Sequence, residues 1–423
     1  MIHRDQGWSL CCRIAGAVLA LCLAGHAAAA SGDDAAPFVL PDSGSLSLAA
    51  VVQATYQRNP TTQVLQARLD EAAAVRRQAD SLIAGDAALQ VRHNTGQVGN
   101  EEGLREWEWG IELPIWLPGQ RQARRNEARQ QRLAATASES ALRLAVAGQV
   151  RNLLWTLRLD QNQAHYTHQA WLTSRDLQND VARRVKAGEL AHLDLVLARQ
   201  ESLDRQDTFQ QADAKLRRDY HRYRILTGLD RIPAEFRETR SPAREVDSRH
   251  PALADAMAAV AADEAVYKRV RSDRRANPTL TLGTRHERAD AASDYVNTLG
   301  IILRVPLGLP SQSAPRIAAS ATTLAESRTE RDLLKRRLDT ELQTARDSLA
   351  ATRMALEVAG KRAALARENL TLIRRSFDLG ESNLFHVLQV QARAFEAELK
   401  LHEKTIELQA DIARYNQAVG IIP

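Results

Sequence analysis

Two periodicities share this chain. From Glu106 to Leu113 (EWEWGIEL) polar and apolar positions alternate strictly, which puts Trp107, Trp109, Ile111 and Leu113 on one side of a strand and Glu106, Glu108 and Glu112 on the other. A weaker alternation through Leu89 and Val91 precedes it, and the polar, glycine-bearing run NTGQVGNEEG between the two predicts a hairpin loop. The pattern returns at Thr279 to His286 and Thr298 to Pro306, where Leu299, Ile301, Leu303 and Val305 share one face and Thr298, Gly300 and Arg304 the other. Elsewhere the spacing is three and four. Leu338, Leu342, Ala345, Leu349, Thr352 and Leu356 make a coiled-coil seam. Residues 120–185 and 316–377 hold no proline and one glycine each (Gly148 and Gly360), which predicts rods of roughly 90–100 Å at the helical rise. Ala187-Gly188 and Leu379-Gly380 predict short turns into returning helices over 191–226 and 384–418.

These elements occur twice. Pro114 and Pro306, Gly188 and Gly380, and Arg222-Tyr223 and Arg414-Tyr415 are all separated by 192 positions, while Asn59-Pro60 and His250-Pro251 are separated by 191. Five such matches in one order, counting Arg92-His93 and Arg285-His286 at 193, establish a duplication. The predicted organisation is an export signal over 1–30, a first helix–hairpin–helix repeat over 31–229, a connecting segment over 230–248 and a second repeat over 249–423. The fold class is mainly α with a small β part, long antiparallel coiled-coil helices plus two β-hairpins.

Composition changes the picture in two ways. Ile14 to Gly25 is a short apolar run after Arg4 and Arg13 and before Ala28-Ala29-Ala30, the pattern of a cleaved signal peptide. It is about half of the ~20 residues a spanning helix needs. All three cysteines (Cys11, Cys12 and Cys22) precede the expected cleavage point, so the mature chain is expected to have neither disulfides nor thiolate metal sites. Loss of Arg4, Arg13 and Asp5 lowers the formal net charge from +5 to +4, interspersed over the whole chain, which gives no warrant for nucleic-acid binding. No stretch after the signal is apolar enough to span a bilayer as a helix, so membrane insertion must use strands. Four strands cannot close a barrel alone, and an open edge in lipid leaves backbone groups unsatisfied. Apolar-out, charged-in alternation is the mark of a transmembrane β-barrel with a wet lumen. Trp107, Trp109, Trp116 and Tyr295 suit its interfaces.

The duplicated unit, the strand-to-helix segment ELPIWLPGQRQAR and the turn segments RVKAGELAHLDLVLARQE and SFDLGESNLFHVLQVQAR resemble the TolC-type outer-membrane efflux factors over essentially the whole mature chain. LPIWLPGQRQAR looks most like the heavy-metal-efflux (Czc-type) branch. The resemblance implies that each chain gives four strands to a trimeric transmembrane β-barrel in outer-membrane lipid, continued by a helical tunnel in the periplasm. It also implies a homotrimer that docks on a periplasmic adaptor (membrane fusion) protein and an inner-membrane RND-type pump, as a passive conduit to the exterior for heavy-metal cations. Two other readings stay open. One is the same channel serving multidrug export or type I protein secretion. The other is a periplasmic coiled-coil adaptor or scaffold.

A conduit needs no catalytic centre, and no enzyme motif, cofactor site or metal site is predicted; His165 and His168 lack a third ligand. By the resemblance, the helical turns dock the adaptor, through Gly188, Glu189, Leu190 and Leu193 in the first copy and Gly380, Glu381, Leu384 and Phe385 in the second. The tunnel's constriction maps to Asp194, His386 and Gln389, where relatives carry acids in the second copy. Three His386 side chains are expected to form a pH- or metal-responsive ring. Gly188 and Gly380 are expected to adopt positive φ at the helix ends. Glu106, Glu108, Glu112 and Arg304 are expected in the barrel lumen. Trp107, Trp109, Ile111, Leu113, Leu299, Ile301 and Leu303 are expected against lipid, and Arg92-His93 with Arg285-His286 as a basic ring at the exit.

Overall fold

A computed structural model describes residues 37–96, 99 and 103–423; the predicted export signal lies outside them, as does part of the first hairpin loop. Strand β1 (Asp42–Ser43) leads into helix α1 (Leu48–Arg58), whose N-cap Ser47 accepts a hydrogen bond from the Ala50 N–H at 3.1 Å. Asn59-Pro60 ends α1, and α2 (Thr61–Asp80) follows. Then come β2 (Ala88–Thr95), β3 (Arg105–Pro114), the 67-residue α3 (Gln120–Lys186) and α4 (His192–Thr227). After β4 (Ile232–Pro233), α5 (Pro251–Ser272), β5 (Thr279–Arg288), β6 (Val296–Arg304), the 69-residue α6 (Pro310–Asp378) and α7 (Leu384–Ala418) repeat the layout. Helix α1 has no helical counterpart in the second copy, so the duplication is not complete.

Each long helix packs along its returning partner, α3 on α4 and α6 on α7, and α3 also lies against α2, α5 and α7. At about 1.5 Å per residue the two long helices are rods of roughly 100 Å. Such a thin molecule has no single core. One apolar cluster gathers Val51, Val150, Leu154, Leu157, Leu216 and Tyr223 where α1, α3 and α4 meet; a second joins Leu253, Leu338, Leu342 and Tyr415. A third sits at the far ends of the rods, around Val181, Leu195, Phe377 and Leu384. The predicted seam on α6 is buried at Leu338, Leu342, Ala345 and Leu349 and half-buried at Thr352 and Leu356.

The two hairpins form one antiparallel sheet of order β2-β3-β5-β6, zipped together by β3 and β5. Gly110, Gly283 and Gly300 stand in register across three strands. At Gly283 the approach is so close that a Cβ would lie 2.5 Å from the Trp109 carbonyl oxygen. The second, two-stranded sheet pairs β1 with β4, tying the start of the described chain to the connecting segment.

Candidate functional site

Register sorts the sheet into two chemically distinct faces. On one, successive rungs read Leu113–Leu280–Leu303, Leu89–Ile111–Leu282–Ile301, Val91–Trp109–Thr284–Leu299 and His93–Trp107–His286–Asn297. These apolar side chains are uncovered: Trp109 is 50%, Ile111 52%, Leu299 76% and Ile301 69% exposed. The opposite face carries Glu106, Glu108, Glu112 and Arg304, as the alternation predicts, together with Arg92, Arg285 and Glu287. Here Arg92 Nη1 meets Glu108 Oε2 at 3.1 Å, and Arg285 bridges Glu106 and Glu287 at 2.5 Å each. Asn94 Nδ2 donates to Glu106 Oε2 at 2.9 Å, so Glu106 is held from two strands. Val296 and Ile302 are exceptions on this face, both exposed at the β6 edge.

Within one chain the Arg-His pairs expected to make a basic ring do not share a face. Neighbouring residues of a strand point to opposite faces, so each Arg-His pair is split. Arg92 and Arg285 join the glutamates, whereas His93 stacks on Trp107 (centroids 4.0 Å apart) and His286 on Tyr295 (4.2 Å) on the apolar side. Below the sheet, Trp116 is half-buried and donates Nε1–H to the Ser81 carbonyl at 3.1 Å, fixing the strand-to-helix junction.

At the other end of the rods the two turns are near copies. Gly188 (φ 81°) and Gly380 (φ 78°) take the left-handed conformation that the sequence predicts. In each, the next residue's N–H, Glu189 or Glu381, reaches the carbonyl five residues back, Arg184 or Ser376, at 2.9 Å, closing a Schellman motif. Arg184 pairs with Asp378 at 3.1 Å and lies over the Phe377 ring, so the two turns of one chain hold each other. Leu193 and Phe385 are 67% and 63% exposed and free to meet a partner. Leu384 is not: it is 1% exposed, packed with Phe377 and Val387 under the turn, and is withdrawn from the predicted docking surface. Leu190 is half-buried on the same cluster.

The returning helices start differently. Asp194 Oδ2 accepts from the Ala191 N–H at 3.1 Å, and in the second copy Asn383 Oδ1 accepts from the His386 N–H at 2.9 Å. Each copy thus keeps one half of a capping box. Asp194 has a helix-start role that the sequence reading did not assign, while His386 and Gln389 are exposed. No cluster of three candidate metal ligands occurs among the described residues, and His168 packs on Phe209 and Trp171.

The connecting segment 230–248 holds what sequence reasoning missed. Arg151, on α3, is bound bidentately by Glu238 (2.6 and 2.8 Å), with side chains only 3% and 11% exposed. Its remaining Nη1 donates to Gln417 Oε1 and the Ile421 carbonyl. Asn416 binds Glu238, Thr239 and Ser241, while Tyr223 and Tyr415 donate their hydroxyls to the carbonyls of Arg231 and Ala243. The repeated R-Y-x4-G signature at Arg222 and Arg414 was the available signal: both tyrosines serve as latches for the segment.

Beside this clamp His250 is 3% exposed at the start of α5, its ring against Gly420, and neither ring nitrogen has a hydrogen-bond partner. Burial, opposed in part by Asp247, holds its pKa below the ordinary 6.5. The unfolded chain therefore takes up this proton first, and stability present above about pH 6.5 falls as pH drops toward the native value. His250→Asn is expected to flatten that dependence: its Tm should change less than the wild type's between about pH 7.5 and 5.5. Parallel curves for the two proteins would remove His250 as the cause.

No protein-family model matches the chain, and no curated protein sequence does. Solved structures do. It superposes on the outer membrane protein VceC of Vibrio cholerae with TM-score 0.71 at 14% identity, covering 88% of this chain and 96% of that one. Crystal structures of CusC, described in terms of folding and transmembrane channel formation, give 0.71 at 15% over 88% and 92%. The Campylobacter jejuni CmeC outer membrane channel gives 0.69 at 12% over 88% and 85%. What these likenesses establish is the fold, which is that of the TolC-like outer-membrane channel proteins.

Proposed function

We propose that this chain is one protomer of a homotrimeric outer-membrane channel-tunnel, the exit conduit of a tripartite efflux system. One observation carries the reading: a four-stranded sheet with one face predominantly apolar and largely uncovered, the other charged and internally paired, and both edges open. In water such a sheet is an aggregation hazard. In lipid its open edges cost several kcal/mol per unpaired group, roughly, until further copies close the barrel. Strands of 8 to 10 residues match the ~9–11 needed to cross a bilayer. No described helix is long and apolar enough to do so. The rods then continue the passage through the periplasm toward an adaptor and an RND-type pump. Heat-modifiable trimers in the outer-membrane fraction are the expected result; recovery of the protein from soluble periplasmic extract would overturn the proposal in favour of a coiled-coil adaptor or scaffold.

The cargo we propose is heavy-metal cations, on the resemblance of LPIWLPGQRQAR. Sensitivity of a deletion strain to zinc, cobalt, cadmium and copper tests it, and sensitivity confined to detergents and dyes would point to multidrug export instead. Leu193 and Phe385, beside Gly188, Glu189, Gly380 and Glu381, are the proposed adaptor contacts. The double variant Leu193→Glu/Phe385→Glu is expected to form trimers yet lose cross-linking to the adaptor; unchanged cross-linking would place the contact elsewhere. Asp194, His386 and Gln389 remain the proposed constriction, with His386 its one imidazole. His386→Ala is expected to flatten the pH profile of single-channel conductance, and an unaltered profile sinks that role.

A further inference from the structure

The channel reading leaves two arginines of the apolar face without a purpose. Arg105 and Arg288 are directly opposed across β3 and β5, one rung beyond His93–Trp107–His286 toward the hairpin loops. Directly opposed side chains have Cβ atoms about 4.5–5.5 Å apart, and like charges so placed repel. On the charged face Arg92 and Arg285 each have a glutamate, but among the described residues neither Arg105 nor Arg288 enters an ion pair. Arg288 is nevertheless held in place. Its guanidinium lies 5.3 Å from the centroid of Tyr295, and its Nε is buried with no acceptor. The nearby Asp290 carboxylate feels the Arg288 charge without pairing with it, its hydrogen bonds going to its own turn: it accepts from the Ala292 N–H, the Ser293 N–H and the Ser293 hydroxyl.

Below the two guanidiniums is a fixed aromatic shelf. Tyr295 stacks on His286 with planes 7° apart, and Trp107 lies between His93 and Trp109. The histidine rings are themselves oriented, His286 Nδ1 on Asn297 Oδ1 at 2.6 Å and His93 Nδ1 on the Glu106 carbonyl at 3.1 Å. The loop bases are locked together as well: a Cβ on Gly103 would lie 2.4 Å from the Ala291 nitrogen.

We propose that Arg105 and Arg288 together bind the phosphate of an acidic lipid headgroup in the outer leaflet. A phosphate offers acceptors to two guanidinium forks at once and cancels the repulsion between them. The position selects a lipid over a free anion. The apolar rungs run on directly below for the acyl chains, and tryptophan and tyrosine are the residues that settle at headgroup depth.

The proposal rests on the sheet spanning the outer membrane, and the test separates the two. The intact protein, extracted from the outer-membrane fraction in neutral detergent, is titrated with lipopolysaccharide, dephosphorylated lipopolysaccharide, phosphatidylcholine and inorganic phosphate while Tm is followed. A rise with the phosphorylated lipid alone is expected. It should vanish in Arg105→Gln/Arg288→Gln and persist in part in Arg105→Lys/Arg288→Lys, which keeps the charges should the glutamine pair not fold. Arg304→Gln, at the opposite end of the sheet, should respond as wild type. An equal rise with inorganic phosphate or phosphatidylcholine, or an undiminished rise in either glutamine-substituted or single Arg105→Gln protein, overturns the lipid site. Absence of the protein from the outer membrane would instead overturn the channel reading itself.

Discussion

Glu238→Ala is expected to cost about 3–5 kcal/mol, because it strands the Arg151 guanidinium in a site almost closed to water. The pair is bidentate and nearly inaccessible, and the Gln417 and Ile421 oxygens that remain can solvate the cation but not neutralise it. Asn416 loses an acceptor at the same time, so the connecting segment is released from the C-terminal end of α7 as well as from α3. Removing both charges is a different experiment. Arg151→Met/Glu238→Leu leaves no buried ion, and buried pairs replaced by apolar groups of similar volume are often neutral in stability. Denaturation midpoints of the two single variants and the double give the coupling directly. Additive losses would mean that the two charges do not depend on each other, contrary to the geometry.

Gly283→Ala is the second large effect. The added Cβ falls 2.5 Å from the Trp109 carbonyl oxygen and 3.0 Å from the Gly110 Cα, both backbone atoms that no rotamer change can move. Overpacking of this kind costs about 1–3 kcal/mol where the structure can shift. Here the shift must separate β3 from β5, the strands that join the two repeats into one sheet. The yield of heat-modifiable trimer should therefore fall in the order of the clashes. Gly110→Ala, with the Thr281 methyl at 3.0 Å, should be milder, and Gly300→Ala, whose nearest neighbour is 3.9 Å away, close to neutral. Equal yields for all three would show that the sheet opens at no cost along this rung.

Much of this was legible because the chain repeats itself and its periodicities are long. Trp107, Trp109 and Ile111 alternate with Glu106, Glu108 and Glu112 within a few positions, so the two faces could be assigned before any pairing was known. The partner of each strand could not. That β3 lies against β5, with Gly110 opposite Gly283 and Glu106 beside Arg285, depends on contacts across more than 170 positions that leave no local trace. The same limit explains the histidines: Arg92-His93 looks basic as a dipeptide, yet a strand sends its two members to opposite sides. Leu384 and Phe385 are adjacent to one turn in the sequence, and only the packing of Phe377 and Val387 decides that the first is buried and the second free. The connecting segment was opaque for a further reason. It has no period, and its hold on the molecule comes from single polar side chains, Glu238 above all, whose partners Arg151 and Asn416 lie on α3 and α7.

The divided helix starts at the two tips have a consequence for how the copies can diverge. Where Asp194 secures its helix from inside the first turn, the residue ahead of the helix carries no burden and is alanine, Ala191. Where Asn383 secures it from outside, the inner position is relieved and holds His386, an exposed side chain on which the helix beneath it does not depend. The two contacts of a capping box are redundant, so each copy has one position open to variation, at neighbouring but different places, and one tip can be tuned while the other stays fixed.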